Sequence, residues 1–141
     1  MNDDRPLTIA GRAFRSRLMI GTGKYRNRDE MRAALDASGA EIVTVALRRI
    51  DFDDPASRTI LDDIDRERFA ILPNTAGCQT AEEAVRIARM ARAMDLGAWV
   101  KLEVIPASPY LLPDPIGTYE AAKTLVAEGF AVLPYIGADP T

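Results

Sequence analysis

Lys101 and Glu103 stand two residues apart in the run Trp99-Val100-Lys101-Leu102-Glu103-Val104. An amine and a carboxylate at that spacing can do chemistry together. If the run is a β-strand, side chains alternate with a period of two. Val100, Leu102 and Val104 then form an apolar face. Trp99, Lys101 and Glu103 point the other way, with the amine and carboxylate leaving the strand about 6.5–7 Å apart. Charged groups seldom enter a sheet interior unless they are paired or working. The chain has 18 basic residues, yet lysine occurs only at Lys24, Lys101 and Lys123. An amine can lose its proton and attack a carbonyl, whereas a guanidinium effectively cannot. Two readings of Lys101 stand side by side. It is a Schiff-base nucleophile, made reactive by burial, which disfavours the charged form of an amine. Or it is half of a structural ion pair, with Glu103 or with a carboxylate on the next strand. Glu103 is correspondingly a proton shuttle or simply that partner.

The remaining composition narrows the chemistry. Histidine is absent, which removes the commonest general base and the commonest metal ligand. Serine–histidine and cysteine–histidine nucleophiles are excluded, and acid–base work falls to carboxylates, lysine or tyrosine. The one cysteine, Cys78, cannot form an internal disulfide and suits a reducing cytosol. With no base to activate it, it reads as a small buried residue. Asp51, Asp53 and Asp54 cluster near Pro55, a pattern compatible with a metal but more usual in a solvated loop. Gly21-Thr22-Gly23-Lys24 resembles a phosphate loop at a glance. It fails the P-loop pattern, because position 18 is Leu and Tyr25 replaces Ser/Thr. It fails the dinucleotide fingerprint too, because Arg26 stands where the last glycine belongs, and a tight strand-to-helix turn is the better reading.

A formal net charge of −3 and the lack of a basic stripe argue against a nucleic-acid partner. No apolar run approaches the ~20 residues of a membrane span. Met1 to Pro6 is polar and has no apolar signal core. The expected compartment is the cytoplasm. The 141 residues form one domain by length, enough to bury about 68–70% of the unfolded surface.

The elements that must position Lys101 and Glu103 follow from patterning. Leu7 to Phe14 alternates around Ala10-Gly11 and reads as a short hairpin or lead-in strand. Strands are expected at Arg17 to Ile20, Glu41 to Leu47, Phe69 to Leu72 (broken by Pro73-Asn74), Ala98 to Ile105 and Phe130 to Leu133. Arg48 to Ser57 reads as loop. Helices are expected from Asn27, with Glu30 completing a capping box, to Gly39, and from Thr59 to Arg66. A third starts at Thr80, capped with Glu83, and runs through Ala91. A fourth starts at Asp114-Pro115 or nearer Thr118 and runs to Gly129. Asn74 to Gly77 and Tyr135 to Ala138 follow strand ends, where they line a pocket or merely make turns. Both follow Leu-Pro, a faint internal echo.

Strand–helix units repeated four times and followed by a fifth strand argue a parallel sheet. Asp139-Pro140 again looks like a cap and first helical position, with one residue to follow. A (β/α)8 barrel typically needs about 250 residues. The whole chain, residues 1–141, is therefore expected to be a single truncated α/β domain: an incomplete (β/α)8 TIM barrel, the first five strands behind the hairpin or lead-in strand.

The segments LTIAGRAFRSRLMIGTGKY, ILPNTAGCQTAEEAVRIAR, WVKLEVI, LLPDPIGTYEAAKTLVAEGF and VLPYIGADP together resemble the bacterial thiazole synthase family of thiamine biosynthesis. The resemblance covers nearly the whole chain, in order. It implies a (β/α)8 barrel in which a strand lysine forms a Schiff base with 1-deoxy-D-xylulose 5-phosphate. It also implies sulfur delivered by the thiocarboxylate of a small sulfur-carrier protein, and dehydroglycine (iminoacetate) as the remaining substrate. No metal or organic cofactor is implied, and the assembly is a homo-oligomer. The family's lysine falls on Lys101, within Lys101-Leu102-Glu103-Val104, and its acid–base glutamate on Glu103. The family's second acidic residue and its glycine-rich phosphate-binding segments lie beyond the end of this sequence. The chain alone is therefore expected to be inactive and prone to self-association. The alternatives are another Schiff-base barrel enzyme of aldolase type, which cleaves a C–C bond and needs no sulfur donor, and an inactive truncated fragment.

Overall fold

Five parallel strands in unbroken sequential order form the frame of the computed structural model, which describes residues 5–49, 60–107 and 109–138. They are β3 (Met19–Gly21), β4 (Ile42–Ala46), β5 (Ala70–Asn74), β6 (Trp99–Leu102) and β7 (Ala131–Pro134). Ahead of them β1 (Leu7–Ile9) and β2 (Arg12–Phe14) make an antiparallel hairpin, Leu7 opposite Phe14. Its turn residues Ala10 and Gly11 have φ of 45° and 79°, as a type I′ turn requires.

Helices α1 (Arg28–Ser38), α2 (Ala81–Ala93) and α3 (Pro115–Ala127) return the chain from one strand to the next. Local chemistry sets their ends. Asn27 accepts from the Glu30 amide and Thr80 from that of Glu83, as the capping pattern predicts. In both cases the glutamate reaches back to the amide before the cap, on Arg26 and on Gln79. Gly39, at φ 64°, closes α1 in the left-handed conformation that glycine adopts at no steric cost. Asp114 caps α3 with Pro115 in the first turn, so the earlier of the two possible starts is the real one. Residues 60–62 are helical. The rest of the expected Thr59–Arg66 helix is a turn or lies, like most of the expected Arg48–Ser57 loop, outside the described residues.

All three helices pack on one face of the sheet. Met31 and Leu35 of α1, Ala84 and Ala88 of α2, and Leu125 of α3 meet Val43, Val45, Val100 and Leu102 in one apolar cluster. Each fully buried Val or Leu there contributes about 1.5–3 kcal/mol of hydrophobic stabilisation. The other face is divided along its length. At the amino ends of the strands Ile42, Ala70, Leu72 and Trp99 pack against Phe14, Leu7 and Ile9 of the hairpin. The Phe14 and Trp99 rings meet edge-on, 5.8 Å between centroids. At the carboxyl ends the same face is polar.

Several strand boundaries differ from the patterning. β3 is shifted to Met19–Gly21. β5 runs through Pro73 to Asn74 instead of ending at Leu72. Backbone donors alternate sides along a strand: Ala70 donates to Glu41 on the β4 side and Thr75 to Lys101 on the β6 side. Pro73 therefore faces β6, and the β5–β6 ladder is reduced there to the pair Asn74 and Lys101. Pro134 ends β7 with its nitrogen turned from β6, because Ala131 and Tyr135 take the β6 partners Ala98 and Leu102. Finally, β6 ends at Leu102 and not at Ile105. Beyond it the neighbouring β5 chain turns away, since the Thr75 carbonyl accepts from Cys78.

Candidate active site

Alternation along β6 places Lys101 and Glu103 as the spacing predicts. Val100, Leu102 and Val104 are fully buried under the helices, while Lys101 and Glu103 open into a pocket of about 540 Å3 on the opposite face. The two side chains lean together until Lys101 Nζ lies 3.2 Å from Glu103 Oε1. Glu103 is 12% exposed and Lys101 38%, so the carboxylate is largely shielded while the amine is still reachable.

The pocket sits at the carboxyl ends of β3, β4, β5 and β6. Its walls bring together Thr44, Asn74 and Ala76 with the loop Gly21-Thr22-Gly23-Lys24. The loop is the strand-to-helix turn that its sequence suggested, but it also forms one wall. Asn74 and Ala76 line the pocket, as their position past a strand end allowed. Tyr135 does not line it, and its hydroxyl donates instead to the Leu111 carbonyl. Cys78 is fully buried, and burial pushes its thiol up, in keeping with a structural residue.

Polar contacts hold these walls. The Asn74 side-chain amide donates to Thr44 Oγ1 at 2.9 Å, and its carbonyl oxygen accepts from the Ala76 amide at 3.2 Å. Thr75 is fully buried, and its hydroxyl bridges the backbone of Glu103. Arg28, at the mouth, is fastened through Nε to Asp63 at 2.5 Å, and Arg32 binds the same carboxylate. The Asp63 carboxylate is only 2% exposed. The Arg28 and Arg32 guanidiniums bring it from 3.8 down to about 2. Among the described residues Lys24 has no ion-pair partner.

Sequence reasoning missed Thr44 and the Arg28–Asp63 contact, and it singled out Thr75 only as part of the segment Asn74 to Gly77, with no role of its own. Thr75 carried a weak signal, a β-hydroxyl one residue past a strand end. Asp63 carried none, being 35 residues from Arg28. Asp51, Asp53 and Asp54 lie outside the described residues. Among those described, no group of three or more acidic or cysteine residues is placed to hold a metal ion, and no helix is long and apolar enough to cross a membrane.

An amine hydrogen-bonded to a carboxylate in an open pocket can perform carbonyl chemistry. The carboxylate accepts the ammonium proton, the free amine attacks, and the proton returns to the departing oxygen. Sequential parallel strands with such a pair at their carboxyl ends define an α/β protein with a candidate site for carbonyl chemistry. The chain belongs to the thiazole biosynthesis protein ThiG family, whose model matches residues 8–141. It is 61% identical over 140 residues to the thiazole synthase of Synechococcus sp. (strain ATCC 27144), a match covering 95% of this chain and 51% of that protein. It is 56% identical over 137 residues to the thiazole synthase of Syntrophobacter fumaroxidans, covering 97% and 53%. The bifunctional protein ThiO/ThiG of Nostoc sp. is 59% identical over 143 residues, covering 97% of this chain and 22% of that one. Among solved structures, the crystal structure of the Amycolatopsis orientalis BexX/CysO complex superposes with a TM-score of 0.75 at 33% identity, covering 94% of this chain and 55% of that chain. The chain thus spans about half the length of the curated thiazole synthases it matches.

Proposed function

We propose that this protein acts, in the cytoplasm, as a thiazole synthase. It joins 1-deoxy-D-xylulose 5-phosphate, dehydroglycine and sulfur from the thiocarboxylate of a small sulfur-carrier protein into thiazole phosphate. The observation that carries this reading is the 3.2 Å contact of Lys101 and Glu103 within the pocket. Neutral Lys101 attacks the ketone of the sugar phosphate, and loss of water leaves an imine. The imine makes the neighbouring C–H bonds acidic. Glu103 removes and returns those protons as the double bond moves along the sugar carbons. The thiocarboxylate sulfur then adds to the ketone carbon that this shift creates, the carrier's acyl group passes from sulfur to the displaced oxygen and leaves as the carrier's carboxylate, and ring closure with dehydroglycine displaces the Lys101 amine and loses water.

The relatives' name, thiazole synthase, supports this reading. A solved relative in complex with CysO supports a protein partner. In the same proposal the domain described by residues 1–141 supplies the first five strands of a (β/α)8 barrel. Sequential strand order and helices on a single face both suit that closure. Ile116, Tyr119 and Val126 of α3 are apolar yet exposed, which suits burial against further protein in a homo-oligomer.

The test is borohydride reduction of the full-length protein with 1-deoxy-D-xylulose 5-phosphate, followed by peptide mapping. The adduct is expected on Lys101. Adduct on Lys24 or Lys123 instead would overturn the assignment.

A further inference from the structure

We propose that Thr75 is a positioning residue for the Lys101–Glu103 pair, its hydroxyl fixing the backbone from which Glu103 reaches the amine. This rests on the reading of that pair as the reacting site.

Glu103 lies one residue beyond the end of β6, where a strand neighbour no longer supplies backbone partners. The β5 chain has turned off at Thr75, whose carbonyl accepts from Cys78 at 3.0 Å. The Thr75 hydroxyl takes over both missing contacts. It accepts from the Glu103 amide at 2.7 Å and donates to the Glu103 carbonyl at 2.8 Å. A hydroxyl has one proton to give and lone pairs to receive with, so a single side chain can satisfy both backbone groups. The Thr75 amide donates to the Lys101 carbonyl at 3.2 Å. One residue therefore holds the backbone of the amine and of the carboxylate together. Thr75 is fully buried, so water cannot substitute for its hydroxyl. It does not line the pocket and acts only through the backbone of Lys101 and Glu103. Valine would keep the shape and remove both contacts. Serine would keep both contacts and remove only the methyl group.

The experiment compares Thr75→Val and Thr75→Ser in the full-length protein. Thr75→Val is expected to lower kcat by about 10²-fold, the size a displaced reacting group produces, with KM for the sugar phosphate and borohydride trapping on Lys101 little changed. Thr75→Ser is expected to restore kcat. A second readout needs no substrate: a water-soluble carbodiimide joins a carboxylate to an amine in contact with it, with loss of water. The Lys101–Glu103 isopeptide should form in the parent and in Thr75→Ser, and decline in Thr75→Val. If the parent traps no sugar, the thiazole reading fails while the cross-link still decides the role of Thr75. Parental kcat and cross-linking in Thr75→Val would overturn the proposal. So would a Thr75→Ser variant as impaired as Thr75→Val, because packing of the methyl would then be the cause. Should Thr75→Val be insoluble, Thr75→Cys, with its weaker hydrogen-bonding thiol, takes its place, and parental behaviour there overturns the proposal equally.

Discussion

Asn74 stands directly opposite Lys101 across the β5–β6 ladder and Leu133 opposite it on the β7 side, so neither cross-strand neighbour of the amine is charged. Its carboxylate partner comes instead from just past the end of its own strand, at Glu103. Of the ion-pair arrangements open to Lys101, the structure realises the one with Glu103. The proposed proton transfer uses the same contact, so the structural and the chemical reading of the pair share one geometry.

A carboxylate at position 74 changes this balance. In Asn74→Asp a second anion beside the amine favours the ammonium form. Imine trapping on Lys101 at neutral pH should slow by about tenfold or more, the effect of an opposite charge within roughly 4–6 Å. Timed borohydride quenching measures it. Trapping as fast as in the parent would mean that position 74 does not sense the amine.

Glu103→Gln keeps the volume and removes the base. Imine formation with the sugar phosphate should persist, while turnover falls by about 10²–10⁴-fold, as for loss of a general acid–base. Single-turnover trapping alongside steady-state assay separates the two steps. Unchanged turnover would reduce Glu103 to an ion-pair partner.

Asp63 makes stability depend on pH. Its folded-state value of about 2 lies below the ordinary 3.8. Its contribution is therefore fully present above 3.8 and is lost as pH falls through about 2. Arg28 and Arg32 are about half exposed, so solvent screening reduces the size of the effect. Urea midpoints between pH 2 and 7 should differ most between the parent and Asp63→Asn near neutrality and converge at the acid end. A gap independent of pH would contradict this assignment.

The hairpin should matter to stability more than its length suggests. Phe14 is 2% exposed and packs on Trp99, so Phe14→Ala should cost about 3–5 kcal/mol. Trp99 is the chain's sole tryptophan. Its emission should move to longer wavelength as water reaches the amino end of the sheet. Unaltered emission with unaltered urea resistance would show that the hairpin is dispensable.

What the sequence determined by itself was local. The period of two put Lys101 and Glu103 on one face because a strand has no other way to alternate. Asn27, Thr80 and Asp114 marked the helix starts, because a cap uses only neighbouring side chains and amides. The strand–helix rhythm implied parallel strands, though not by itself their order. Tertiary structure decided the rest. Pro73 remains in β5 because its missing donor faces β6 and leaves the five-pair ladder with β4 intact, which no local rule reveals. The glycine-rich loop becomes a pocket wall only once β3 lies beside β4. Thr75 and Glu103 are 28 residues apart, and Arg28 and Asp63 are 35. Such contacts exist only after the sheet is assembled, because separations of this size are fixed by strand register and not by the neighbours of either residue.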